Sequence, residues 1–189
     1  GSSPKTVYAE LIRMHKEEGL SFKNVLSFNL DEYYPMQPDA IQSYWRFMKE
    51  QLFDHVDIPE GNYHVPDGTI SPSLLATHCQ EYEQKIEDAG GLDFQLLGIG
   101  GNGHIGFNEP GSLENTKTRL MMLDQSTRAA AKGDFGGELI KVPKKAITLG
   151  VAKILQAKRI VLLAWGERKA PMISNAVEGQ VTAQNPSTY

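Results

Sequence analysis

One run constrains this chain more than any other: Leu96-Leu97-Gly98-Ile99-Gly100-Gly101-Asn102-Gly103-His104-Ile105-Gly106-Phe107-Asn108-Glu109-Pro110. An apolar stretch of strand character runs into four glycines within six positions. Glycine at that density lets backbone take up φ > 0 and come close to a ligand. These glycines frame one imidazole, and a carboxylate follows a few residues later. Histidine beside a carboxylate is the usual material for proton transfer near neutral pH. A histidine ringed by glycine also has too few packing neighbours to be an ordinary core residue. The run therefore predicts an active-site loop at the end of a strand.

Around it, short apolar runs alternate with longer amphipathic ones. Val25 to Leu30, Phe94 to Ile99 and Arg159 to Trp165 read as strands, and Thr118 to Leu123 as a further short one. Helical spacing covers Thr6 to His15, Ser43 to Val56, Ser73 to Ala89 and Lys169 to Glu178, with Pro72 placed to start the third and Gly90-Gly91 to stop it. Lys132 to Gly137, with three glycines and two charges, reads as a mobile loop or lid. Strands alternating with helices predict an α/β, Rossmann-like, doubly wound and mostly parallel sheet with helices on both faces.

The length of 189 residues fits one domain, and 40% hydrophobic with 22% charged residues fits a globular one. A net charge of −4 favours neither nucleic acid nor an anionic membrane as partner. No apolar run reaches membrane-spanning length, and the lone Cys79 fits a reducing cytoplasm. Any anionic substrate must then be held by a few local cations and backbone N–H groups. Both ends look cut, so residues 1–189 are expected to be a single domain truncated at each end. Gly1-Ser2-Ser3-Pro4 also has the look of an expression-tag scar.

Ligands of open α/β sheets bind beyond the carboxyl ends of the strands. Three loops fall there, carrying Asp31-Glu32-Tyr33-Tyr34, then Asn102 with His104 and Glu109, then Glu167-Arg168-Lys169. Together they suit proton shuffling on a small anionic molecule. Read alone, Asp31-Glu32 is as well suited to terminating a strand, and Lys169 to being a solvated residue in a first helical turn. No second His or Cys lies at ligand spacing from His104, so no metal is expected. Gly98 to Gly103 matches the spacing of a dinucleotide fingerprint, but Ile105 to Pro110 is a poor helix start, which argues against a nicotinamide cofactor.

Leu30-Asp31-Glu32-Tyr33, Phe53 to Pro59, Gly98 to Pro110 and Ala176-Val177-Glu178-Gly179 resemble the glucosamine-6-phosphate deaminase family over essentially the whole chain. That resemblance implies an enzyme without cofactor that converts glucosamine 6-phosphate to fructose 6-phosphate and ammonia, often as a trimer or hexamer. It implies that Asp31 moves the proton between C2 and C1, with Glu32 beside it. His104 resembles the ring-opening acid/base, Glu109 its orienting carboxylate and Asn102 a member of the same group. Lys169 resembles a lysine that holds the substrate phosphate, and Gly1, Ser2 and Ser3 the tail of a phosphate-binding loop.

The chain departs from the family in two places. Gly133, next to Lys132, stands where members carry a lid arginine, and lysine lacks that bidentate fork. Ser112 and Arg119 match part of an allosteric phosphosugar site whose lysine position holds Met121, so activation through it is expected to be lost or altered. Two other readings remain open: a phosphosugar-binding regulatory domain, and a 6-phosphogluconolactonase. The latter would carry a threonine- or serine-rich continuation after the histidine, where this chain has Ile105 to Pro110.

Overall fold

The structure, a computed structural model, describes residues 3–189. The roles expected of Gly1 and Ser2 lie outside the described residues. In chain order the elements are α1 (Lys5–Glu18), β1 (Ser27–Phe28), β2 (Asp31–Tyr34), α2 (Tyr44–Gln51), β3 (Tyr63–His64), α3 (Leu75–Asp88) and β4 (Gln95–Gly98). They continue with β5 (Arg119–Met122), α4 (Gln125–Ala131), β6 (Lys145–Thr148), α5 (Val151–Leu155), β7 (Ile160–Leu163) and α6 (Ala170–Glu178). No helix among the described residues is long and apolar enough to cross a membrane.

Strands and helices alternate as the apolar pattern requires, and β1 pairs with β3, and β4 with β7, in parallel. Beside these pairs stands an antiparallel unit, β2-β6-β5, that the pattern did not announce. Its middle strand holds the fully buried Ala146 and Ile147. The unit corrects one expectation: Asp31-Glu32-Tyr33-Tyr34 is strand, not loop. Its aromatic residues fit a pleated, buried surface, and Tyr33 and Tyr34 are both buried. The preceding run is less regular than its apolarity suggests. Only Ser27–Phe28 pairs, and Val25 and Leu26 remain exposed.

Four apolar clusters hold these pieces together. Tyr8, Leu11 and Ile12 of α1 pack on Phe22, Met48, Leu52, Phe53, Ile58 and Tyr63. Tyr82 and Ile86 of α3 meet Leu97, Ile105, Leu149 and Ile154. A third cluster joins Tyr33, Phe107, Leu123, Phe135, Val142 and Ala146, and it corrects a second expectation. Lys132 to Gly137 is not an exposed loop throughout, since Lys132–Phe135 forms a 3-10 turn continuing α4. Phe135 is buried at 6% exposure, edge-on to Tyr33 with ring centroids 5.3 Å apart. Burying one such side chain contributes about 1.5–3 kcal/mol, enough to pin a glycine-rich segment that charge alone would leave in solvent.

Candidate active site

The glycine-rich loop leaves the end of β4 and is seated on the end of β6. Buried Asn108 donates from Nδ2 to the carbonyls of Leu149 (2.8 Å) and Ile105 (3.0 Å). The Phe107 N–H donates to Thr148 Oγ1 at 3.1 Å. Gly100 is required by close approach, because a side chain there would overlap the His104 ring. Gly106 is required twice over, by its φ of +56° and by its neighbours: a Cβ there would lie 3.0 Å from Thr148 Oγ1 and 3.4 Å from Asp31 Oδ2. The loop that carries the imidazole therefore runs directly past the Asp31 carboxylate.

His104 keeps 18% of its side chain exposed, whereas Glu109 keeps 4%. The imidazole Nδ1 lies 2.7 Å from Asn102 Oδ1 and 3.5 Å from Glu109 Oε2. Asn102 Nδ2 donates to Glu109 Oε2 at 2.9 Å. Since an ionised carboxylate only accepts, this bond fixes the amide orientation and leaves Oδ1 facing the ring. An amide oxygen also only accepts, so Nδ1 carries the proton and Nε2 is the free acceptor. The Asn102 amide thus stands between imidazole and carboxylate.

Glu109 takes two further donors. The Thr127 hydroxyl donates to Oε2 at 3.0 Å, and the Asp124 N–H to Oε1 at 3.1 Å. Burial pushes the Glu109 carboxyl up, but the hydrogen bonds with His104, Asn102 and Thr127 outweigh it and hold the group below the usual glutamate range. The carboxylate is thus ionised and its negative charge held against the ring.

Asp31 opens β2 in register with Thr148 of β6, on the side of the loop. Burial pushes its carboxyl up to about 7, with the neighbouring Glu32 charge adding to the rise. Glu32 does not join this group, which corrects the expectation for it. Successive strand residues point to opposite faces, and Glu32 spends both oxygens on backbone. Oε1 accepts from its own strand at Tyr33 N (2.9 Å), while Oε2 accepts from Tyr44 N (2.8 Å) and Trp45 N (3.0 Å). The latter two are first-turn N–H groups of α2, so Glu32 ties that helix end to β2.

Lys169 lies in the turn before α6 and donates from Nζ to the Ile99 carbonyl at 2.6 Å. The parallel β4–β7 register places that turn beside the start of the glycine-rich loop. Ser3 is brought to the same end: its carbonyl accepts from Trp165 Nε1 at 3.2 Å, and its Oγ is 3.9 Å from where a Gly98 Cβ would lie. Ser112 and Arg119 are also together, with Nη2 donating to Ser112 Oγ and Nη1 to Asn108 Oδ1, both at 2.9 Å. Met121 Sδ lies 3.7 Å from the same guanidinium. Gly133 and Lys132 fall in the 3-10 turn that Phe135 anchors.

Thr127 was missed from the sequence. Its signal was present: Asp124 followed by Gln125-Ser126-Thr127 is a helix start, and the Asp124 carboxylate does accept from Ser126 N at 2.7 Å. What the sequence could not convey is that this first turn faces Glu109.

Comparison with known proteins now bears on these observations. The family model described as glucosamine-6-phosphate isomerases/6-phosphogluconolactonase matches residues 1–189. A glucosamine-6-phosphate deaminase-like protein of Bacteroides thetaiotaomicron is 53% identical over 189 residues, all of this chain but 28% of that protein's length. The glucosamine-6-phosphate deaminase of a Thermoanaerobacter species is 46% identical over 188 residues, covering 73% of that enzyme. Among solved structures, a monomeric glucosamine-6-phosphate deaminase superposes with a TM-score of 0.95 at 39% identity, over all of this chain and 77% of that one. A 6-phosphogluconolactonase of Thermotoga maritima reaches 0.73 at 23% identity over all of this chain and 76% of that one, a likeness of fold alone.

Proposed function

The chain belongs to the glucosamine-6-phosphate isomerase/6-phosphogluconolactonase family, and on that footing we propose that it is a glucosamine-6-phosphate deaminase domain acting in amino-sugar breakdown in the cytoplasm. One observation carries the reading: a histidine with Nε2 free, backed through Asn102 by buried Glu109, on a loop that also passes Asp31.

The chemistry follows from these groups. His104 Nε2 takes the proton of the anomeric hydroxyl and returns it to the ring oxygen, opening the pyranose. Glu109, ionised and close by, stabilises the imidazolium while it exists. Asp31, a carboxylate whose basicity burial raises to about 7, removes the C2 proton of the open-chain amino sugar and delivers it to C1. The enolamine so formed becomes an imine at C2, which water hydrolyses to ketone and ammonia. Lys169 and Ser3, together at the ends of β4 and β7, receive the phosphate. We read Arg119 and Ser112 as the remnant of an effector site in which Met121 replaces the cation. The residues named all belong to one chain, and the solved relative at 39% identity is described as monomeric. We therefore take the active unit to be a single chain rather than the trimer or hexamer the resemblance implies.

Lactone hydrolysis has the weaker support, because the Thermotoga lactonase shares the fold at only 23% identity. The test is to incubate the full-length protein with glucosamine 6-phosphate and measure ammonia and fructose 6-phosphate. Wild type should turn over, whereas His104→Gln and Asp31→Asn should each lose on the order of 10²-fold or more. Sugar binding without ammonia release in wild type would favour a regulatory domain instead.

A further inference from the structure

We infer that Thr127 is a positioning residue for His104, keeping Glu109 off the imidazole and tying the ring to α4. This rests on the deaminase reading for its kinetic arm only.

The geometry around Nδ1 has three neighbours, and counting donors decides among them. Asn102 Oδ1 at 2.7 Å accepts the Nδ1 proton. Thr127 Oγ1 lies 3.2 Å from the same nitrogen, but its own proton is committed to Glu109 Oε2. Glu109 Oε2, at 3.5 Å, is beyond a direct hydrogen bond to the ring. That oxygen already accepts from Asn102 and Thr127, so two neutral donors occupy the lone pairs that would otherwise draw in the imidazole. Removing the Thr127 donor leaves Glu109 more basic and one acceptor position vacant. The carboxylate then closes on the ring, stabilises imidazolium and competes with Asn102 for the Nδ1 proton.

Thr127 is also the polar contact between the loop and the segment that follows β5. It sits in α4, held by the Asp124 cap, and the same segment reaches Tyr33 and Phe107 through buried Phe135. Any shift of α4 therefore moves a donor on Glu109. The charged groups around the ring are few. Glu109 comes from its own loop, and Asp31 lies against that loop at Gly106. Asp124 turns its carboxylate to Ser126, and Lys169 is engaged by the Ile99 carbonyl. Thr127 itself is buried at 6% exposure, so a solvent molecule does not replace its hydroxyl without repacking.

The experiment compares Thr127→Val, which keeps the shape and removes the hydroxyl, with Thr127→Ser, which keeps it. His104 titration is followed by NMR of the ring in the substrate-free protein, alongside kcat and KM across pH. In Thr127→Val the ring titration and the acid limb of kcat move to higher pH. In the same variant kcat falls roughly ten-fold, the scale of one lost hydrogen bond to a charged group. KM stays within about two-fold, and Thr127→Ser restores the wild-type profile. A Thr127→Val protein with unchanged ring titration and equal thermal stability would overturn the proposal. So would failure of Thr127→Ser to rescue. A wild type without ammonia release would sink the deaminase reading yet leave the NMR comparison standing.

Discussion

Two buried carboxylates divide this molecule between them. At the junction of β2 and α2, Glu32 is 2% exposed and meets three backbone N–H groups. On the glycine-rich loop, Glu109 is 3% exposed and meets two side-chain donors, one backbone N–H and an imidazole. Burial does not distinguish them; their partners do. Backbone donors have no alternative state, so they make Glu32 a fixed tie between strand and helix. Side-chain donors and a titratable ring give Glu109 neighbours whose protons can move. The buried acid that matters for chemistry is the one whose partners are themselves adjustable.

That contrast breaks most decisively at Glu109. Glu109→Gln keeps the volume but replaces an acceptor with an NH₂ group facing other donors, and it removes the charge that supports imidazolium. Turnover of glucosamine 6-phosphate should fall about 10³-fold, roughly 4 kcal/mol on the barrier, as expected when a histidine loses its orienting carboxylate. Thermal melting should change little beside it. A variant that melts early but turns over normally would put Glu109 in the same class as Glu32.

The mirror experiment is Glu32→Ala. Three N–H groups lose a charged acceptor, two of them at the open end of α2, and the loss should be about 3 kcal/mol of stability. In a chain of this size that is roughly 6–10 °C in Tm. Residual folded enzyme should keep kcat within a few-fold of wild type. A normal Tm with abolished turnover would instead return Glu32 to the reacting group, where the adjacent Asp31 had suggested it belonged.

What was legible in the chain follows from the range of each signal. Period and punctuation are local, so the helices around Leu11, Phe47 and Tyr82 were readable, and so was the loop whose glycines crowd His104. Partner choice is not local. Nothing in Asp31-Glu32 says which acid faces the loop until β6 supplies the register, and the antiparallel pairing of β2 with β6 joins residues more than a hundred positions apart. Phe135 looked stranded among glycines because its partners, Tyr33 and Phe107, come from distant segments. Thr127 was invisible for the same reason: a capped first turn is readable, but not the carboxylate it faces.

The smallest expected effect sharpens the contrast most, because it reverses sign. Burial raises the Asp31 carboxyl from 3.8 to about 7. Between those values the folded protein holds a proton that the unfolded chain has released. Stability contributed by this group therefore falls as pH rises from about 4 to 7, and stays lowered above. Asparagine cannot ionise, so Asp31→Asn should be more stable than wild type at pH 8 and no different at pH 4. Partial exposure screens the charge, leaving a gain of about 1–2 kcal/mol, a few degrees in Tm. Melting both proteins at the two pH values tests it. A base that destabilises its own fold at the pH where it works is the opposite of Glu32, whose removal loosens the structure. If Asp31→Asn melted lower than wild type at pH 8, Asp31 would be a second structural tie, and the strand would carry no base at all.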